Sequence, residues 1–103
     1  MTQTEVTVVR LYFNEGNARL EPLLKMLHDK EEVKGVSVFR GIAGFGDSGE
    51  IHTGKFIDLA MELPLVVEFF DVPEKAAAIM EHINKTMKPG HMLSWTAFVN
   101  ESE

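Results

Sequence analysis

LVVEFFDVPEKAAAIMEHINKTM, Leu65 to Met87, holds two different periods in one line of sequence. Leu65, Val67 and Phe69 alternate with Val66, Glu68 and Phe70, the two-residue repeat of a strand that ends at Asp71. Pro73 then suits the first turn of a helix, where its missing N–H leaves no bond unmade. From there Ala76, Ile79, Met80, Ile83 and Met87 recur at the spacing of one helical face, and Pro89-Gly90 stops the helix.

The rest of the chain repeats this grammar. Val6 to Phe13 places Val6, Val8 and Tyr12 on one side and Val9, Leu11 and Phe13 on the other, so both faces of that strand are apolar and it belongs in the middle of a sheet. Leu20, Leu23, Leu24 and Leu27 predict a helix from about Pro22 to Lys30. Val36 to Ile42 forms a second strand, and Leu93 to Val99 a last one, with Leu93, Trp95, Ala97 and Val99 against Ser94, Thr96 and Phe98. The order strand, helix, strand, strand, helix, strand predicts an α+β, ferredoxin-like βαββαβ sandwich: a four-stranded antiparallel sheet with two helices on one face. A chain of 103 residues without a linker or repeat predicts one domain over 1–103. The face that the helices leave bare still carries large apolar groups, which predicts an oligomer that covers it.

Composition narrows the function. With no cysteine there is no disulfide framework and no thiolate chemistry. No basic segment leads into an apolar run at the N-terminus, and no stretch approaches the roughly 20 apolar residues of a membrane span, so the reading is cytoplasmic with no membrane insertion. A net charge of −6 disfavours nonspecific nucleic-acid binding, and a phosphate ligand needs a focused cationic pocket.

The irregular feature is the connection from Ile42 to Pro64. It holds about 20 residues where a hairpin needs about two to five, and such loops in small domains tend to carry function. Its base, Arg40-Gly41-Ile42-Ala43-Gly44-Phe45-Gly46, is either a glycine-rich bend at a strand end or an array whose amides turn toward a ligand, with Arg40 as the adjacent cation. It is neither a dinucleotide fingerprint nor a Walker loop, lacking their spacing and their lysine.

Other candidates fall to simpler explanations. His28, His52, His82 and His91 follow no metal-ligand spacing, so a site would have to be assembled in three dimensions, with His52, Glu50 and His91 as its ligands. Gly46-Asp47-Ser48-Gly49 matches a serine-protease nucleophile segment but lacks the surrounding barrels, and Asp47 with Ser48 suits a turn. Glu31 and Glu32 read as solvated charges, and Arg10 with Glu68 as a structural ion pair across the sheet. Six methionines fill core gaps. No nucleophile–base pair is present, and the chain is read as not an enzyme.

The segments VFRGIAGFG (Val38 to Gly46), IHT (Ile51 to Thr53) and LPLVVEFFD (Leu63 to Asp71), with RLY (Arg10 to Tyr12) before them, resemble the domain of unknown function 190 family, a PII-like group, over nearly the whole chain. The resemblance implies a homotrimer similar to the PII signalling proteins, with an adenine nucleotide or other small anionic effector in the cleft between subunits. It also implies that the loop 44–63 contacts a target, a membrane transporter or another protein. On this resemblance Arg40, Gly41, Gly44, Gly46, Lys85, Lys88 and Gly90 bind the effector, the turn Lys85 to His91 being the phosphate-side loop, while Phe45, Asp47, Glu50, His52, Thr53 and Lys55 touch the target. Nitrogen-sensing PII proteins have Thr-Gly-x-x-Gly-Asp-Gly-Lys at the second of these loops. This chain has Lys85-Thr86-Met87-Lys88-Pro89-Gly90-His91-Met92, so fewer amides and more lysine charge would meet a phosphate. No tyrosine stands in the long loop to be uridylylated. Beside this reading stand a docking oligomer with no small ligand and a metal-binding protein.

Overall fold

Residues 1–14, 20–44, 52–53 and 64–102 are described in the computed structural model. The strands are β1 (Thr2–Asn14), β2 (Val36–Arg40), β3 (Ala43–Gly44), β4 (His52–Thr53), β5 (Pro64–Asp71) and β6 (Met92–Ser102). The helices are α1 (Leu20–Lys25), continued by a π-helical turn over Met26–Lys30, and α2 (Pro73–Asn84). One sheet runs β2-β5-β1-β6 with every neighbour antiparallel, which is the ferredoxin-like order expected.

Register assigns the faces. Val9 stands opposite Phe69, Leu11 opposite Val67 and Phe13 opposite Leu65, and this side meets Leu27, Ala76, Ile79 and Ile83 from the helical layer in one buried core. Burying such side chains stabilises the fold by about 1.5–3 kcal/mol each. The opposite face presents Val6, Val8, Arg10 and Tyr12 of β1 beside Val66, Glu68 and Phe70 of β5.

Among the boundaries that differ from the sequence reading, three have a physical reason in the packing or the hydrogen bonds. The first helix starts at Leu20, so Pro22 still lies in the first turn, where amides have no intrahelical acceptor. Its end is wider than an α-helix: the Glu31 N–H donates to the Met26 carbonyl, five residues back, at 3.0 Å, and the Val33 N–H to the Leu27 carbonyl at 3.1 Å. Leu27 is thereby fully buried. Helix α2 ends at Asn84, three residues before Met87, which packs against the core from outside the helix.

The third difference bears on function. Strand β2 ends at Arg40 rather than Ile42, because the next ladder position faces a proline. The Gly41 N–H donates to the Pro64 carbonyl at 2.7 Å, but Pro64 has no N–H with which to return the bond. The chain then starts a separate two-stranded ribbon, in which Ala43 pairs with Thr53 and Gly44 with His52. Part of the long insertion is therefore regular structure.

At Gly41 a Cβ would lie 2.5 Å from Pro64 Cγ, closer than real Cβ contacts come, and at Gly44 it would lie 3.1 Å from the same atom. Gly41→Ala is expected to destabilise the protein by about 1–3 kcal/mol, the usual cost of forced overpacking. Adding Pro64→Ala should restore most of that loss, and thermal melts of the single and double variants check it. Equal melting of Gly41→Ala and the parent would show that the contact relaxes freely.

Candidate functional site

The open face of the sheet is apolar with a charge at its centre. Arg10 and Glu68 are directly opposite in the β1–β5 register, and both Nε, at 3.0 Å, and Nη2 of Arg10 donate to Glu68 Oε1. This is the ion pair anticipated from the sequence. The guanidinium also lies 5.2 Å from the ring centre of Trp95, a cation–π contact that the sequence reading did not include. Its signal is diagonal: Trp95 pairs with Val8, two residues before Arg10 on the same face. Hydrogen bonding to Glu68 first, and to Tyr12 second, raises the Arg10 pKa above its ordinary value, so the charge is permanent. Around it Phe39, Phe70, Leu93 and Trp95 are all exposed.

The cations singled out for an effector stand at one end of this sheet. Arg40 closes β2 opposite Leu65, while β1 ends at Asn14 opposite Pro64. The turn Lys85 to His91 delivers the chain into β6 at that same end, where the Tyr12 N–H donates to the His91 carbonyl at 2.9 Å. Within the turn, the His91 N–H donates to the Lys88 carbonyl at 3.2 Å, with Pro89 and Gly90 between them and Gly90 at φ +83°. That is a type II turn, with proline at the second position and glycine at the third for the reasons each suits. The His91 ring donates from Nδ1 to the Pro89 carbonyl at 3.2 Å.

Arg40 and the turn nevertheless occupy opposite edges. Strands β5 and β1 lie between β2 and β6, so three strand spacings, about 14 Å, separate the two groups. One protomer does not bring them together. Gly41 spends its amide on Pro64, and Gly44 pairs within the ribbon. His52 and Thr53 form β4, whereas Phe45, Gly46, Asp47, Glu50 and Lys55 lie outside the described residues.

The acidic residues after the first helix are more engaged than the sequence suggested. Glu31 Oε1 is 3.1 Å from His82 Nδ1 on α2, and the Lys75 ammonium donates to the Glu32 carbonyl at 3.1 Å, with Glu32 itself at φ +51°. Lys75 also lies 3.3 Å from Oδ2 of the buried Asp71, an ion pair too skewed to be a hydrogen bond, while Asp71 Oδ1 accepts the Val72 N–H at 2.8 Å. Among the described residues no cluster of three or more His, Cys, Asp or Glu could hold a metal ion, and no helix is long and apolar enough to cross a membrane.

Comparison with known proteins adds a family and a fold. The model of the DUF190 family, "Uncharacterized ACR, COG1993", matches residues 6–99. A UPF0166 protein of Aquifex aeolicus (strain VF5) is 38% identical over 80 residues, which cover 74% of this chain and 76% of that protein. Among solved structures, CPII from Thiomonas intermedia K12 bound to ADP and bicarbonate superposes with a TM-score of 0.72 at 16% identity, over 97% of this chain and 93% of that one. A second structure of CPII, a nitrogen regulatory PII-like protein, bound to ADP, AMP and bicarbonate, matches equally well, with a TM-score of 0.72 at 16% identity over 97% and 92% of the two chains.

The turn can be tested by itself. Nothing lies within 4 Å of a Cβ built on Gly90, so only its left-handed backbone resists substitution. Gly90→Ala should cost about 1–2 kcal/mol, the left-handed penalty for an L-residue. Gly35→Ala, with equally open space, should lose none of it. Chemical denaturation of both variants gives the comparison, and equal loss in the two would remove the backbone explanation.

Proposed function

Because this chain belongs to the DUF190 family and carries the fold of the PII-like proteins, we propose that it is a PII-like signalling module, assembled as a homotrimer. A small anionic effector, an adenine nucleotide, binds in the cleft between neighbouring subunits. Arg40, with Gly41, Gly44 and Gly46, serves it from one protomer, and Lys85, Lys88 and Gly90 from the next. The insertion 44–63 contacts a target protein through Phe45, Asp47, Glu50, His52, Thr53 and Lys55. Effector binding favours one arrangement of that insertion and so changes which target it grips.

The observation that carries this reading is the position of the cations: one end of the sheet, opposite edges, too far apart in one protomer for a single phosphate. Edge-to-edge neighbours would close that distance. The nucleotides held by CPII on the same fold support the choice of effector class. The exposed Phe39, Phe70, Leu93 and Trp95 support an oligomer, since such a face is costly to leave in water.

Titration with ADP, in the presence and absence of bicarbonate, tests the proposal when melting temperature and solution mass are followed together. The expected mass is three times the 11.6 kDa protomer. ADP at about 100 times its Kd should stabilise the protein by about 2.7 kcal/mol. Arg40→Ala and Lys88→Ala should each weaken ADP binding about tenfold, as expected for a lost charge-assisted contact. A monomer indifferent to ADP, or two variants that bind it like the parent, overturns the assignment.

A further inference from the structure

A concavity lies on the helical side of the molecule, away from the open face. It is a half-open cleft of about 770 Å³ between the first helix and the last turn of α2 with the residues that follow, and Phe13 also lines it. Sites for small organic ligands span about 300–1,000 Å³ and are mostly apolar with a few polar groups that set orientation. This cleft has that composition. Pro22, Leu23 and Met26 form one wall, Ile83 and Met87 the other. Two of the wall residues are methionines, whose unbranched side chains adapt to irregular apolar shapes.

The polar groups stand together at the end of α2. His82 is held by its Nδ1 contact with Glu31 at 3.1 Å, and the hydroxyl of Thr86 donates to the Ile83 carbonyl at 3.3 Å. Lys85 differs from both: its backbone N–H donates to the Ile83 carbonyl, but its ammonium makes no hydrogen bond or ion pair with any described residue. A cation without a counter-charge among the described residues, lining a mostly apolar cleft, is complementary to a molecule with an apolar body and one anionic end.

We infer that this cleft binds a small amphipathic carboxylate, with its chain between Leu23, Met26 and Met87 and its carboxylate on the Lys85 ammonium. The apolar part supplies affinity by leaving water, and the ion pair sets the orientation. The cleft is formed within one protomer and does not need the nucleotide reading; the two share one group, the Lys85 ammonium, so a bound carboxylate would compete with the nucleotide for that charge.

Decanoate, kept below its micelle-forming concentration, is the probe, and the methionine methyl resonances of the full chain are the readout. Saturable shifts are expected at Met26 and Met87, with decanol binding about tenfold more weakly because it lacks the charge. Lys85→Gln should reduce decanoate to the level of decanol. Leu23→Trp and Met87→Trp, which fill the cleft from opposite walls, should abolish binding of both probes, so that one folded filler suffices. Absence of saturable shifts at Met26 and Met87, parent-like decanoate affinity in Lys85→Gln, or binding that survives in a folded filler overturns the inference.

Discussion

Val9, Leu11 and Phe13 of β1 pack beside Val67 and Phe69 of β5 and beneath Leu27, Ile79 and Ile83, and this contact organises the molecule. Two helices cover two strands. Both central strands are buried on their helical side, whereas β2 and β6 at the edges leave Val38, Phe39, Leu93, Trp95 and Phe98 exposed. The helical layer cannot serve the other face at all. On the face without helices Val6 and Val8 of β1 are buried even so, and the apolar surface left to water belongs to Phe39, Phe70, Leu93 and Trp95 on the other three strands.

The ion pair in the middle of that uncovered face has a weight that depends on what surrounds it. Half-exposed as it stands, with the two side chains 36% and 28% accessible, the pair contributes little, because water and salt screen it. Under a covering surface the loss of either partner would leave an uncompensated buried charge, which costs far more. Arg10 is prepared for that change, with Glu68, Tyr12 and the Trp95 ring already around it. The same residues that contribute little to one protomer can therefore dictate how a neighbour must sit.

Much of this architecture was legible in the sequence, because the signals were periodic. Alternation located β1, β5 and β6, and the Arg10–Glu68 pair followed from placing those strands side by side. What escaped depended on register. The π-helical turn at Met26–Lys30 has the same leucine spacing as an α-helix, and only the five-residue hydrogen bond distinguishes it. The end of β2 is set by a proline more than twenty positions later, invisible until Gly41 and Pro64 are known to be partners. β1 and β6 run further than expected because polar ends such as Gln3 and Asn100 pair with each other, which no hydrophobic pattern announces. For the site, residue type pointed to Arg40, Lys85 and Lys88, but their separation onto opposite edges required the strand order.

The missing proline amide has a mechanical meaning. Where β2 gives way to the ribbon, one backbone hydrogen bond spans Gly41 and Pro64 in place of a reciprocal pair, and such a bond contributes about 1 kcal/mol. The ribbon forms its own sheet, outside the ladder that holds the core. Twisting β3 and β4 against the main sheet therefore strains, on the β2 side, one backbone hydrogen bond where a regular ladder would present two.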